Sequence, residues 1–245
     1  MVNDRLLLDR SSLNTLDMWL EAARTDGAIA LIDKEEDWTS FDCVAKLRGL
    51  TRVKRVGHAG TLDPLATGLL VICFGKATKD LAHLQDDDKE YEVEIMLGAT
   101  STTDDRGGEI EVMHDVAVPT IDEITKALTL FTGVIDQIPP AFSAIKHDGK
   151  RQYELARQGK EFTPKLRQVT VHSIDKITVT WPVVSCTIKC SKGTYIRSIA
   201  RDLGQQLGCG GYVSALRRTV SGGFGVDKAL RVSDVQIALS EKVAV

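Results

Sequence analysis

Six consecutive apolar residues, Leu69–Phe74, are entered directly from a twelve-residue segment, Gly57–Gly68, that holds three glycines and a proline. A run of this length reads as a buried strand. It is the longest apolar stretch in the chain and falls far short of the roughly 20 residues needed to cross a bilayer. Lys89–Leu97 carries a second strand signal. Tyr91, Val93, Ile95 and Leu97 share one face, and Glu90, Glu92 and Glu94 share the other.

Further strands are expected over Gly27–Ile32, Gln168–Trp181, Val183–Cys190 and Tyr212–Arg218, and one after the Gly107-Gly108 turn. Helices are expected over Ser12–Arg24, from a cap at Thr39 or Ser40, over Ala77–Gln85, Ile121–Phe131, Arg151–Gln158 and Thr194–Leu207, and after Ser233. The His147-Asp148-Gly149 turn is expected between a strand and the helix that begins at Arg151. Strands outnumber helices and several are joined by short turns, so the expected class is α+β: a mostly antiparallel mixed sheet flanked by helices. No repeat, low-complexity tract or linker divides the chain. Residues 1–26 are read as an N-terminal extension with a short helix, and residues 27–245 as one domain.

Composition is that of an ordinary globular protein: 245 residues, 43% hydrophobic and 27% charged. The first 30 residues hold Asp4, Arg5, Asp9, Arg10, Asp17, Glu21, Arg24 and Asp26, which no secretory signal tolerates. Five cysteines with no C-x-x-C pair read as reduced thiols of a cytoplasmic protein. Cys186 and Cys190 lack the second pair that a zinc site needs, so no metal is expected.

The net charge of −3 conceals a strong segregation. Residues 1–42 hold ten acids and four bases, and residues 80–115 hold twelve acids and two bases, so the rest carries +13. Lys46, Arg48, Arg52, Lys54, Arg55 and His58 lie in a stretch without acids. A second basic stretch runs from Lys146 to Arg167, and a third holds Lys189, Lys192, Arg197 and Arg201. Basic clusters in an acidic protein are either solvated faces or a localised footprint for a polyanion.

Gly57-His58-Ala59-Gly60-Thr61-Leu62-Asp63-Pro64-Leu65-Ala66-Thr67-Gly68 is a shaped loop, because glycine alone accepts positive φ cheaply. Pro64 biases Asp63 towards an extended backbone, which presents its carboxylate from a loop. A turn cap and a functional carboxylate are both open readings of Asp63 at this level.

This loop strongly resembles the catalytic-loop motif of the TruB family of tRNA pseudouridine-55 synthases. Further blocks match in family order. They are Asp88-Lys89-Glu90-Tyr91; Ser143-Ala144-Ile145-Lys146 with Gly149, Tyr153 and Ala156-Arg157-Gln158-Gly159; Cys190-Ser191-Lys192-Gly193-Thr194-Tyr195-Ile196-Arg197 continuing to Asp202-Leu203-Gly204; and Leu216-Arg217-Arg218-Thr219. The resemblance covers roughly residues 27–225 and implies a pseudouridine-synthase-like catalytic domain.

It also implies a reaction: isomerisation of uridine to pseudouridine in the T-arm loop of tRNA (position 55 in tRNA numbering). That reaction breaks N1–C1′, turns the base, joins C5 to C1′ and releases the C5 proton, without cofactor or metal. A carboxylate can attack the sugar or stabilise an oxocarbenium-like centre, as glycosidase carboxylates do, and Asp63 is that candidate. The resemblance assigns Arg197 as the cation that keeps Asp63 ionised, in place of a merely solvated arginine. Tyr91, otherwise a core tyrosine, would stack on the target base. His58, otherwise a loop histidine, would help occupy the space left by the flipped uridine. Tyr195 and Leu216 would line the pocket, and Lys79, Lys146 and Arg157 would meet phosphates. The expected partner is tRNA, with no membrane, and the expected state is a monomer.

Two features depart from the family. It usually opens its catalytic domain with K-P-x-G-x-[T/S]-S, whereas Lys34-Glu35-Glu36-Asp37-Trp38-Thr39-Ser40 has Glu35 and Asp37 at the proline and glycine positions. Loss of stiffness and of access to positive φ is expected to alter that loop. No C-terminal PUA domain is expected after Thr219. The competing reading is a TruB-like RNA chaperone that has lost catalysis; Asp63, Tyr91 and Arg197 weigh against it, and the altered Lys34 loop weighs slightly for it. A glycosidase would need a second carboxylate, and the loop offers one.

Overall fold

A computed structural model describes residues 5–142, 146–147, 150–151 and 165–243, with 146–147 and 150–151 described through their backbone. The chain begins with β1 (Leu6–Leu8), α1 (Leu16–Thr25), β2 (Ala28–Lys34), α2 (Ser40–Thr51), β3 (Val56–Ala59) and β4 (Thr67–Phe74). It continues through α3 (Leu81–Asp86), β5 (Lys89–Leu97), β6 (Ala99–Ser101), β7 (Ile110–Val112), α4 (Ile121–Thr129) and β8 (Gly133–Gln137). Two short strands, β9 (Lys146–His147) and β10 (Lys150–Arg151), precede β11 (Arg167–Thr180) and β12 (Val183–Cys190). The last elements are α5 (Ile196–Gln206), β13 (Gly211–Ser221), β14 (Phe224–Gly225) and α6 (Val232–Val243).

These elements form two compact units, residues Met1–Tyr91 with Arg217–Val245, and residues Glu92–Leu216. The chain leaves the first unit inside β5 and returns to it inside β13.

The first unit is built around β4, whose residues Leu69–Phe74 are essentially inaccessible, as their unbroken apolar pattern requires. One edge of β4 pairs antiparallel with β2, from Gly68 opposite Lys34 to Phe74 opposite Ala28. The other edge is shared. Val71–Phe74 pair antiparallel with β3, while Thr67 and Gly68 pair parallel with Arg217 and Arg218 of β13. β1 adds parallel to β2, and β14 turns back antiparallel on β13.

Ile29, Leu31, Leu69, Val71 and Cys73 form a core with Ala59, Ala77, Leu84 and Ala229. The residues read as an N-terminal extension contribute β1 and α1 to this unit. Leu8, Leu16, Trp19 and Ala23 are buried, the Trp19 indole N–H donates to the Ile29 carbonyl at 2.8 Å, and its ring meets Phe74 edge-on at 4.8 Å.

The second unit orders its strands β13-β5-β12-β11-β8, and β11 is antiparallel to both β12 and β8. The alternation expected in β5 is present: Val93, Ile95 and Leu97 are buried, and Glu92 and Glu94 are exposed. α4 buries one face through Ile124, Ala127 and Leu128, and α5 is enclosed through its first turn, Ile196–Ala200, and then buries Leu203 and Gly204.

The α+β class and the mixed sheet agree with the sequence pattern. Two local expectations need correction. The helix expected over Ala77–Gln85 is a 3₁₀ turn, Gly75–Asp80, followed by the short α3, because the chain winds tightly where residues 76–77 abut the Gly27 backbone. Arg151 does not start a helix. It pairs with Lys146 across the β9–β10 hairpin, and the rest of the helix expected up to Gln158 lies outside the described residues.

Candidate active site

β3 and β4 are antiparallel neighbours, and Gly60–Ala66 is the loop that joins them, with Asp63 half-buried at its centre. Pro64 presets a turn in which the Ala66 N–H donates to the Asp63 carbonyl at 3.0 Å. Both neighbours of Asp63 are anchored from outside the loop. Ser40, on the first turn of α2, accepts from the Leu62 N–H at 2.8 Å and donates to the Leu62 carbonyl at 3.1 Å. On the other side, the Lys34 ammonium and the Asp37 N–H both donate to the Pro64 carbonyl, at 3.1 and 3.0 Å. The aspartate thus stands between two tethered residues.

Lys34 is fully buried, and its ammonium also donates to the carbonyls of Glu35 and Trp38, at 3.0 and 2.5 Å. Burial pulls its pKa below the usual lysine value, and the nearby Cys43, Asp63, Asp37 and Asp42 oppose that shift. The segment that departs from the family pattern therefore cradles the loop. The expected loss of positive φ does not occur: Asp37 itself adopts φ 64°. Aspartate tolerates the left-handed region better than most residues, so the turn survives without glycine. The next helix then starts in order. Thr39 accepts from the Asp42 N–H at 3.0 Å, and Asp42 accepts from the Thr39 N–H at 2.8 Å.

The loop's base is held by β13. Arg217 makes a two-pronged ion pair with Asp33 of β2, at 2.9 and 2.8 Å. Arg218, one residue on and facing the other way, is 1% exposed. It donates from Nε to the Leu69 carbonyl at 2.7 Å and from Nη2 to the Gly60 carbonyl at 3.1 Å. Gly68 has φ 97°, and a Cβ there would run into the Arg218 carbonyl, so only glycine allows β13 to lie this close.

His58 sits on β3 opposite Ile72, and its Nδ1 is buried without a hydrogen-bond partner among the described residues. Burial lowers its pKa, a hydrogen bond at the Gly60 backbone opposes this, and the Arg218 charge adds to the lowering. Tyr91 is half-buried on β5, and Lys79 is exposed on the 3₁₀ turn before α3.

In the second unit Arg197, on the first turn of α5, is 4% exposed. Its guanidinium pairs with Asp105 at 3.5 Å and donates to the Thr103 and Phe142 carbonyls, both at 3.0 Å. Asp105 is itself fixed by the Thr103 hydroxyl at 2.7 Å and the Gly107 N–H at 2.9 Å. Arg197 is thus a buried, preoriented cation. Tyr195 precedes it, with its N–H and carbonyl both held by the Gln137 side chain, at 2.8 and 3.0 Å. Leu216 is 9% exposed on β13. Lys146 lies in β9 with only its backbone described, and Arg157 lies outside the described residues.

Sequence reading missed Lys34, Ser40, Asp105 and Arg218 as parts of this framework. The signal available for Arg218 was its place in the Leu216-Arg217-Arg218-Thr219 block. Among the described residues, no group of three or more His, Cys, Asp or Glu is arranged to hold a metal ion, and no helix is long and apolar enough to cross a membrane.

An α+β chain of this kind, matched over most of its length by pseudouridylate synthase family models, is a protein of the pseudouridine synthase class. The chain belongs to the TruB family. Residues 48–196 match the model of the TruB family pseudouridylate synthase (N terminal domain), and residues 197–243 match the tRNA pseudouridylate synthase B C-terminal domain. It is 44% identical over 215 residues to tRNA pseudouridine synthase B of Cupriavidus metallidurans, covering 87% of this chain and 68% of that protein. It is 49% identical over 210 residues to the protein of that name from Gloeothece citriformis, covering 84% and 67%.

Among solved structures, one chain of a Cbf5-Nop10-Gar1 complex superposes with a TM-score of 0.71 at 27% identity, covering 92% of this chain and 59% of that one. The present chain therefore spans less than two thirds of that structural relative. An H/ACA RNP bound to a substrate RNA containing 2′-deoxyuridine shares the fold, with a TM-score of 0.69 at 24% identity.

Proposed function

We propose that this chain isomerises uridine to pseudouridine in tRNA, at position 55 of the T-arm loop. The observation that carries the reading is the tethered loop around Asp63, in a chain that matches the TruB family from Arg48 to Val243. Asp63 is the central catalytic group, and it meets C1′ as a nucleophile or as a charge that stabilises an oxocarbenium-like sugar. Arg197 serves as its cationic partner. Tyr91 stacks on the flipped base near C5, and His58 helps fill the vacated space in the RNA loop. Tyr195 and Leu216 line the pocket, and Lys79, Lys146 and Arg157 meet phosphates.

In the overall change N1–C1′ breaks, C5–C1′ forms, C5 loses its proton and N1 ends protonated. The protein works as a monomer in the cytoplasm. The reaction needs a carboxylate that stays ionised and does not wander, and the anchors on Leu62 and Pro64 supply the second condition.

The test is tritium release from tRNA carrying 5-tritiated uridine, because isomerisation at C5 liberates that label. Release from wild type and none from Asp63→Asn, with RNA affinity retained, is the expected result. Tight binding without release in the wild type would instead make the chain an RNA chaperone.

A further inference from the structure

We infer that Arg218 is a positioning residue for Asp63: its guanidinium ties the two ends of the loop together and so fixes where the carboxylate stands. The inference rests on the reading of Asp63 as the catalytic group. Its basis is a geometry that stability alone does not require.

Arg218 is 1% exposed, and its partners are two backbone carbonyls, Gly60 at 3.1 Å and Leu69 at 2.7 Å. No carboxylate pairs with it among the described residues. Burying a guanidinium without a counter-ion is costly, and an apolar side chain would fill such a site more cheaply. The two carbonyls are not arbitrary acceptors. One is where the chain leaves β3 and the other is where it has re-entered β4, so the fork spans the base of the loop whose centre is Asp63. A planar fork with several donors bridges two fixed acceptors in a way that a single ammonium cannot. The clamp is also keyed to its own strand, because Gly68 lets the Arg218 backbone lie directly against the loop's exit. Ser40 and Lys34 then hold the crown, and Arg218 holds the base.

The experiment compares wild type, Arg218→Lys and Arg218→Ala in single-turnover tritium release and in filter binding to tRNA, at a temperature where circular dichroism shows each protein folded. Arg218→Lys is expected to lower the single-turnover rate about 100-fold, as a displaced catalytic group does, while Kd stays within about threefold. Free guanidinium ion is expected to restore part of the rate in Arg218→Ala, and amide exchange of residues 60–69 is expected to accelerate in both variants. The inference is overturned if the Lys variant turns over within about threefold of wild type, if the loss lies in Kd and not in rate, or if both variants fail to fold at any temperature, which would make Arg218 a stability residue. Absence of label release from wild type would refute the proposed function by itself. Amide exchange over residues 60–69 would then decide about the clamp, and unchanged exchange in Arg218→Lys would overturn it.

Discussion

At the scale of single residues, the molecule separates charges that look alike in the sequence. Arg217 and Arg218 are adjacent, yet one pairs with Asp33 near the surface and the other is enclosed against two carbonyls. Strand alternation predicts that they face opposite ways, but which face is buried is decided by contacts 149 positions away in the chain. Arg197 is legible as a buried cation from its apolar neighbours, whereas Asp105 is not, because it appears in the sequence as one of many acids. Arg197→Met should therefore cost about 3–5 kcal/mol of stability by stranding the buried Asp105 carboxylate, measurable by urea unfolding, before any effect on Asp63 is counted. Asp37 gives the reverse lesson. Sequence marked it as an obstacle to the turn, and it adopts φ 64° all the same. Asp37→Val should lose about 1–2 kcal/mol, and Asp37→Gly should be close to neutral.

At the scale of elements, β4 organises the surroundings of the loop. Its sequence reveals a buried strand, and its surroundings reveal the rest: β2 along one edge, then β3 and β13 in succession along the other. The contact with β13 is short and depends on Gly68. Gly68→Ala should destabilise the protein by about 3 kcal/mol or more, through both the positive φ and the collision with Arg218, and should abolish label release even where the protein stays folded. Gly60–Ala66 was legible because glycine and proline announce a shaped turn. Its anchors were not, because Ser40 and Lys34 reach it from another element, and hydrogen bonds between elements leave no period in a sequence. The same reason accounts for the mistaken helix start at Arg151, where local composition favoured a helix and hairpin pairing with Lys146 won.

At the scale of the whole molecule, the five cysteines behave as apolar residues. All are buried, and burial pushes the thiols of Cys43 up to about 11 and of Cys73 and Cys186 up to about 12. None should react with Ellman's reagent in the native protein, and all five should react in urea. In the unfolded chain the thiols of Cys43, Cys73 and Cys186 ionise near 9, while in the folded chain burial holds them protonated to higher pH. Stability should thus fall as pH rises from about 9, opposed only in part by Lys34, whose lowered pKa gives the opposite slope. The urea midpoint at about pH 10 should lie below that at about pH 8. RNA binding should weaken steeply with salt despite the net charge of −3, with each neutralised phosphate adding about 0.7–0.9 to the slope of log K against log salt.

The first unit is discontinuous, since residues 92–216 are spelled out between its two parts. On the ribosome this fixes an order of events. β3, the loop and β4 emerge before β13, and roughly 150 further residues must be polymerised before Arg217 and Arg218 exist. Throughout that interval the nascent loop has its aspartate but not the Arg218 contacts to Gly60 and Leu69. On the proposed reading of Asp63, the two ends of its loop are tied only once β13 has been translated, and a ribosome stalled before β13 would hold a chain that has the aspartate and lacks the tie.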